Sequence, residues 1–206
     1  MKVVIVGGVA GGASAAARIR RLDESAEIIV FEKTGYVSYA NCGLPYYIGD
    51  VITDSSDLTF QTPESFWKRF RISVKVNHEV TNIDVTQKTV KVKNLLTGTE
   101  WEETYDKLLL SPGAKPVRPN LPGIDSEKIF SLRTVEDTFR IHDYLEKTKA
   151  QSAVIVGGGY IGIEVAENLK NKGLNVTIVQ KPNQLMNTLD YDMASLVHSK
   201  LRAKGI

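Results

Sequence analysis

The first apolar run of the chain, Val3, Val4, Ile5 and Val6, is short, β-branched and unbroken, the pattern of a strand. Gly7, Gly8, Val9, Ala10, Gly11 and Gly12 stop it, and a small-residue stretch with helical spacing follows over 13–22. A second β-branched run occupies 28–31. The same order returns later: Val154, Ile155 and Val156, then Gly157, Gly158 and Gly159, then a helix-like stretch from Tyr160 to Leu169, then a β-branched run over 176–179. One strand–turn–helix–strand pattern is thus written twice.

A different texture lies between the copies. Residues 79–110 place Val80, Ile83, Val85, Val90, Val92, Trp101 and Tyr105 in short alternating blocks with Thr97-Gly98 as a turn signal, which predicts a small antiparallel meander. The run Leu108, Leu109, Leu110 is stopped by Pro112 and Gly113, and 116–122 reads as a linker. Helices are expected over 134–149 and 190–204, with Gly205 as a C-cap. Ile206 would open a further strand, so the second unit is expected to be incomplete and the chain to be part of a longer protein. The fold class is therefore α/β: two Rossmann-like units with parallel strands and helices, plus the meander.

Glycines between a strand and a helix let the backbone approach a pyrophosphate, whose charge meets helix amides and the positive end of the dipole. The match is strengthened by its repetition in the required context. The first copy has Gly7 and Gly12 but Val9 at the middle position. Its second strand runs into Glu32, 20 residues beyond Gly12 (32 − 12), where an acid can hold a ribose hydroxyl. The second copy has Gly157, Gly159 and Gly162, but its strand runs into Gln180 and Lys181. An acid at that point favours NADH; an amide beside a lysine accommodates a 2′-phosphate, so NADPH stands beside NADH.

Composition narrows the classes further. With 26 Lys+Arg against 24 Asp+Glu, the net charge of +2 gives no electrostatic reason to expect nucleic acid or an anionic membrane as partner. No apolar run approaches the roughly 18 residues of a membrane span. The single cysteine, Cys42, excludes an intrachain disulfide and fits a reducing cytoplasm. A lone cysteine is commonly a buried hydrophobe. Cys42 instead lies ten residues after Glu32 (42 − 32), among Asn41, Gly43 and Pro45 and close to an expected helix start. His78, His142 and His198 share no ligand spacing, so no metal is expected.

A first dinucleotide unit, a cysteine shortly after its acid and a second unit further on resemble the pyridine nucleotide-disulfide oxidoreductase family. The stretch from Ser38 to Gly49 resembles its single-cysteine branch of coenzyme A-disulfide reductases, NADH oxidases and CoA-persulfide reductases. The resemblance implies an FAD-binding domain over 1–114 and an NAD(P)-binding domain over 115–206. FAD would lie on Gly7, Val9, Ala10, Gly11, Gly12, Glu32 and Lys33, with Val80, Ser111, Pro112 and Gly113 near it. NADPH or NADH would lie on Gly157, Gly159, Tyr160, Ile161, Gly162, Glu164, Gln180 and Lys181. Tyr160 would cover the flavin until nicotinamide displaces it. Cys42 would form a mixed disulfide with the substrate thiol, because the chain offers it no partner. CoA would meet Ser14, Arg18, Arg21, Ser38, Asn41 and Arg71. The resemblance also implies a homodimer at full length. A cysteine cycling through sulfenic acid would instead make an oxidase or peroxidase, and a structural Cys42 would leave a flavin- and nucleotide-binding protein without turnover.

Overall fold

The computed structural model describes residues 1–206. In chain order the elements are β1 (Lys2–Val6), α1 (Ala10–Leu22), β2 (Glu27–Phe31), α2 (Leu44–Ile48), α3 (Pro63–Phe70), β3 (Ser73–Lys75), β4 (His78–Asp84), β5 (Thr89–Asn94), β6 (Glu100–Thr104), β7 (Lys107–Leu110), α4 (Val135–Thr148), β8 (Ser152–Val156), α5 (Tyr160–Asn171), β9 (Asn175–Val179) and α6 (Tyr191–Ala203). They form two compact units: Met1–Ala40 with Ser56–Pro119, and Asn41–Ser55 with Asn120–Ile206.

In the first unit a parallel sheet of order β3-β2-β1-β7 carries the glycine turn after its central strand. Alternation along β1 divides the core in two. Val3 and Ile5 pack with Ala16, Ile28, Val30, Phe66 and Ile72 on one face, while Val4 packs with Ile29, Phe31, Val90 and Val92 on the other. The antiparallel meander β4-β5-β6 therefore covers the face opposite α1, and β1 is apolar from Val3 to Val6 because both its faces are covered there. The meander is shorter than its sequence pattern suggests. Residues 107–110 leave it and pair with β1 in parallel, Val3 with Lys107 and Val6 with Leu110. Three consecutive leucines suit such a strand better than an alternating edge.

In the second unit β8 and β9 pair in parallel, Ser152 with Asn175 and Val156 with Val179. One face of this pair packs: Val176, with Ala153, Ile155 and Ile178, meets Ala166 and Leu169 of α5, Ile141 and Leu145 of α4, and the fully buried Ile48 of α2. On β8 the alternate residues Val154 and Val156 are exposed. Helices α4 and α6 begin and end at the expected residues, with Thr134 and Asp190 as N-caps and Gly205 at φ 73° just beyond α6.

Candidate functional site

The two glycine turns are built alike. In the first, Gly7 takes φ 96° and donates its N–H to Phe31 O at 2.8 Å. A Cβ at Gly7 would stand 2.0 Å from Ser111 O, and one at Gly12 would stand 1.8 Å from Gly7 O, so turn, helix and β7 close on one another only through glycine. This brings Ser111 and Pro112 to the turn; Ser111 Oγ lies 2.9 Å from the point where a Cβ of Gly11 would project. Glu32 is buried. Its Oε2 accepts from Gly8 N at 2.7 Å, and its Oε1 accepts from Thr34 N and Oγ1 at 2.8 Å each. A carboxylate has about four acceptor sites, so three internal donors leave it one for a ribose hydroxyl.

In the second turn Gly157 takes φ 109° and donates to Val179 O at 2.8 Å; a Cβ at Gly162 would stand 2.0 Å from Gly157 O. Gln180 Oε1 accepts from Gly158 N at 2.8 Å, the place Glu32 holds in the first copy. Lys181 beside it is exposed, as are Tyr160 and Ile161 on the first turn of α5, while Glu164 is half-buried. Space around Gly159 is open, with nothing within 4 Å of a notional Cβ.

Helix starts differ along the chain: α2 and α6, like α1 and α5, have no side-chain cap, and α2 also has no acid in its first turn. Both α3 and α4 are closed by capping boxes, Thr62 with Ser65 and Thr134 with Asp137. Both α1 and α5 start with no side-chain cap and no acid in the first turn. Their leading amides and dipole ends are left to an external anion, so both turns fit the pyrophosphate of a dinucleotide.

Other predicted residues fall as follows. Lys33 is exposed and pairs with Glu79 at 2.5 Å. Val80 pairs with Val92 and packs in the meander core. Gly113 follows Pro112 with φ 71°. Ser38, at φ 51°, donates its N–H to Gly8 O at 2.9 Å. Ser14, Arg18 and Arg21 are all exposed and, four and three residues apart, share one face of α1. Arg20 is different: it donates to Asp23 O, Glu24 O and Ala26 O and also to Phe70 O and Arg71 O, tying the end of α1 to the end of α3. That clamp brings Arg71 to the basic end of α1, with its guanidinium 5.5 Å over the Trp67 ring.

Cys42 is exposed in a 3₁₀ turn, Asn41–Gly43, that leads into α2. The segment is held within the second unit. Arg133 donates to Asn41 Oδ1 at 2.9 Å. A Cβ at Gly49 would meet Asn168 Oδ1 at 2.3 Å, and Asn168, itself buried, donates to Glu164 O at 2.8 Å. Asp50 meets Lys172 Nζ at 2.5 Å and His142 Nε2 at 2.8 Å, and Lys172 also meets Glu146 at 3.0 Å. Burial opposes ionisation of Asp50, but the hydrogen bonds from Lys172 and His142 outweigh it and hold the carboxyl below its ordinary range. Burial likewise opposes the Lys172 ammonium, and Asp50 and Glu146 hold its pKa above the usual value. Asp50, His142 and Glu146 approach one another closely enough to suggest a cation site, with ligand atoms within 4.8 Å, but Lys172 already supplies the positive charge. The sequence offers no local signal for Arg133, Asn168 or Lys172, since their partners lie 92, 119 and 122 positions away (133 − 41, 168 − 49, 172 − 50).

Two strand–glycine–helix turns with uncapped helix starts define an α/β protein of two Rossmann-like units. The chain belongs to the pyridine nucleotide-disulphide oxidoreductase family, whose model matches residues 1–206. It is 43% identical over 205 residues to a coenzyme A disulfide reductase of Staphylococcus haemolyticus, covering 100% of this chain and 46% of the relative. The crystal structure of reduced Bacillus anthracis CoADR-RHD superposes with a TM-score of 0.96 at 50% identity, over 99% of this chain and 37% of that one. An NAD-dependent persulfide reductase from A. fulgidus superposes with a TM-score of 0.95 at 38% identity, over 100% and 39%. The chain thus spans less than half the length of the curated relative it matches. No helix is long and apolar enough to cross a membrane.

Proposed function

We propose that the full-length protein is an FAD-dependent NAD(P)H oxidoreductase of CoA disulfide or CoA persulfide, working as a homodimer in the cytoplasm with Cys42 as its single redox thiol. The observation that carries this reading is that Cys42 is exposed and is the one cysteine of the 206 residues, in a chain with two uncapped dinucleotide turns. Similarity to a CoA disulfide reductase and to a persulfide reductase supports the substrate class.

The FAD-binding domain is read over residues 1–114, of which 41–55 pack in the second compact unit. Glycines 7, 11 and 12, with Val9 and Ala10, cradle the pyrophosphate; Glu32 accepts a ribose hydroxyl; Lys33, Val80, Ser111, Pro112 and Gly113 complete the site. Residues 115–206 bind the nicotinamide nucleotide through Gly157, Gly159, Tyr160, Ile161, Gly162 and Glu164. Gln180 and Lys181 give this site no carboxylate to repel a 2′-phosphate, which makes NADPH a good ligand. Bound FAD supplies the two-electron chemistry that links hydride to disulfide.

The thiolate of Cys42 attacks one sulfur of the CoA disulfide; that S–S bond breaks, one CoA leaves as thiolate and takes up a proton, and a Cys42–CoA mixed disulfide remains. One electron pair, drawn from NAD(P)H by way of the flavin, would cleave that mixed disulfide, returning Cys42 as the thiolate and releasing the second CoA as a thiolate that takes up a proton. With no second cysteine in the chain, the substrate thiol is the only disulfide partner available to Cys42 from these residues. Ser14, Arg18 and Arg21 on one face of α1, with Arg71 at its end and Ser38 and Asn41, hold the phosphates and pantetheine arm of CoA.

Replacing Cys42 by Ser in the full-length protein is expected to lower CoA-disulfide turnover at least about a hundredfold, with NAD(P)H still bleaching the flavin. Intact mass of the protein purified without reductant is expected to show a CoA-sized adduct that thiols remove. An oxygen-sized adduct on Cys42 would replace this reading with oxygen or peroxide reduction, and undiminished turnover in Cys42→Ser would remove the thiol mechanism.

A further inference from the structure

Residues 185 and 186 cover the second glycine turn. Met186, buried and at φ 51°, donates its N–H to Gly158 O at 2.8 Å. The Leu185 side chain lies so close over Gly158 that a Cβ there would stand 2.2 Å from it. Gly158 is thereby held on both sides, since its own N–H donates to Gln180 Oε1 at 2.8 Å. A peptide unit is planar, so fixing the Gly158 carbonyl also fixes the direction of the Gly159 N–H, the amide at the uncapped start of α5. The covering loop is closed internally as well: Leu189 N donates to Met186 O and Gln184 Nε2 to Leu189 O, each at 2.8 Å.

What fastens this loop to its surroundings differs between the two copies. Beside Gly8 the matching residue is Ser38, and main chain holds its loop: Phe60 N donates to Ser38 O at 2.9 Å and Ala40 N to Leu58 O at 2.8 Å. Beside Gly158 a side chain takes that part. Leu185 N donates to His198 Nε2, on α6, at 2.9 Å. A backbone N–H can only donate, so Nε2 is the bare nitrogen and the ring is neutral, with its proton on Nδ1. A second proton would occupy that lone pair and abolish the bond. His198 is half-buried; Arg202, four residues further along α6, is the charged side chain that lines the same cavity, and the polar Thr177, Gln180, Asn183 and Gln184 there do not titrate.

We propose that His198 is a positioning residue for the nicotinamide-nucleotide site: its neutral ring holds Leu185 and Met186 on Gly158, and a proton on Nε2 releases them, so nucleotide affinity at the second turn falls as the pH falls. This rests on the reading of the second turn as the NAD(P)H site. A turn whose amides are already aimed avoids the cost of ordering them when the pyrophosphate binds. The first turn lacks this sensitivity, because the main-chain groups that hold the loop at Ser38 do not titrate.

The test uses the full-length, FAD-loaded protein in its oxidised state and titrates it with NAD+, which cannot reduce the flavin and carries no 2′-phosphate to titrate. Calorimetry gives Kd, and hydrogen exchange read by mass spectrometry follows the amides of 181–189. The wild-type Kd is expected to rise about fivefold between about pH 8 and about pH 5.5, the loss of one hydrogen bond over the span in which imidazoles charge, while the loop loses protection. His198→Leu, which fills space but accepts nothing, is expected to bind about fivefold more weakly than wild type at about pH 8 and to match it at about pH 5.5. His198→Gln offers an amide oxygen in place of Nε2 that no proton in this range removes, and is expected to keep the wild-type affinity of about pH 8 with a level profile. Wild-type affinity and loop protection in His198→Leu at about pH 8, or a wild-type pH profile in His198→Gln, would overturn the inference. Wild type also decides without any variant: a Kd and a loop protection that stay level with pH overturn it even where a substituted chain does not fold. If wild type binds no NAD+ at any pH, the reading of the second turn fails and the inference with it; if wild type binds and both variants match it, only the positioning role fails.

Discussion

Gly7 and Gly157 take φ 96° and 109°, and each donates to the carbonyl that ends the next strand, Phe31 or Val179, at 2.8 Å. Gly8 N finds Glu32 and Gly158 N finds Gln180. Gly8 O accepts from Ser38 N and Gly158 O from Met186 N, and both of those residues sit at φ 51°. The hydrogen-bond pattern is thus shared well past the glycine motif. The surroundings are not. Val4 is fully buried beneath the meander, whereas Val156 of the matching strand is 86% exposed, and Glu32 is a carboxylate where Gln180 is an amide. Local backbone chemistry repeats wherever its few required residues repeat, but burial and ligand preference are set by what packs on the unit and by one side chain at the strand end.

The largest effect that could break this comparison lies in the turns themselves. Gly12→Ala drives a Cβ to 1.8 Å from a backbone carbonyl, and it is expected to cost more than about 3 kcal/mol and to abolish flavin retention. Gly159→Ala, with φ −84° and open space, is expected to stay within about 0.5 kcal/mol in urea unfolding while weakening nucleotide binding. A cost at Gly159 equal to that at Gly12 would mean that open space at the middle position, where the first turn has Val9, does not decide tolerance. A smaller difference separates the strands: Val4→Thr places an unpartnered hydroxyl in a closed core and is expected to cost about 2 kcal/mol, while Val156→Thr is expected to be near neutral in the 206-residue chain. The smallest concerns ligand choice. Gln180→Glu keeps the acceptor for Gly158 N and adds a charge facing a 2′-phosphate, so the NADPH-to-NADH ratio of dissociation constants is expected to rise about tenfold. An unchanged ratio would place the selectivity elsewhere, with Lys181 the next residue to change.

Much of the first unit was legible because each element announces itself locally: β-branched strands, the glycine turn, and the acid at the end of β2. The helices at 135–148 and 191–203 were legible too, through caps and spacing. The departure of 107–110 from the meander was not, since an apolar run of four residues does not name its neighbour, and only pairing with β1 does. Arg20 is one of three arginines within residues 18–21, yet it is bound to five backbone carbonyls while Arg18 and Arg21 stay exposed. Helical geometry turned Arg20 away from the face that Arg18 and Arg21 share with Ser14.

By itself the sequence determined the α/β class, the doubled strand–glycine–helix pattern, the lone cysteine and the unlike residues at positions 32 and 180, because these rest on short-range sterics and on side-chain identity. Tertiary structure alone decided which helix starts are left open for an anion, which arginine is structural, and how the Cys42 segment is held by Arg133, Asn168 and Lys172. The hold on the Cys42 segment depends on contacts between residues 92 to 122 positions apart, and the place of Arg20 on carbonyls up to 51 positions away, bonds that exist only once the chain has closed on itself.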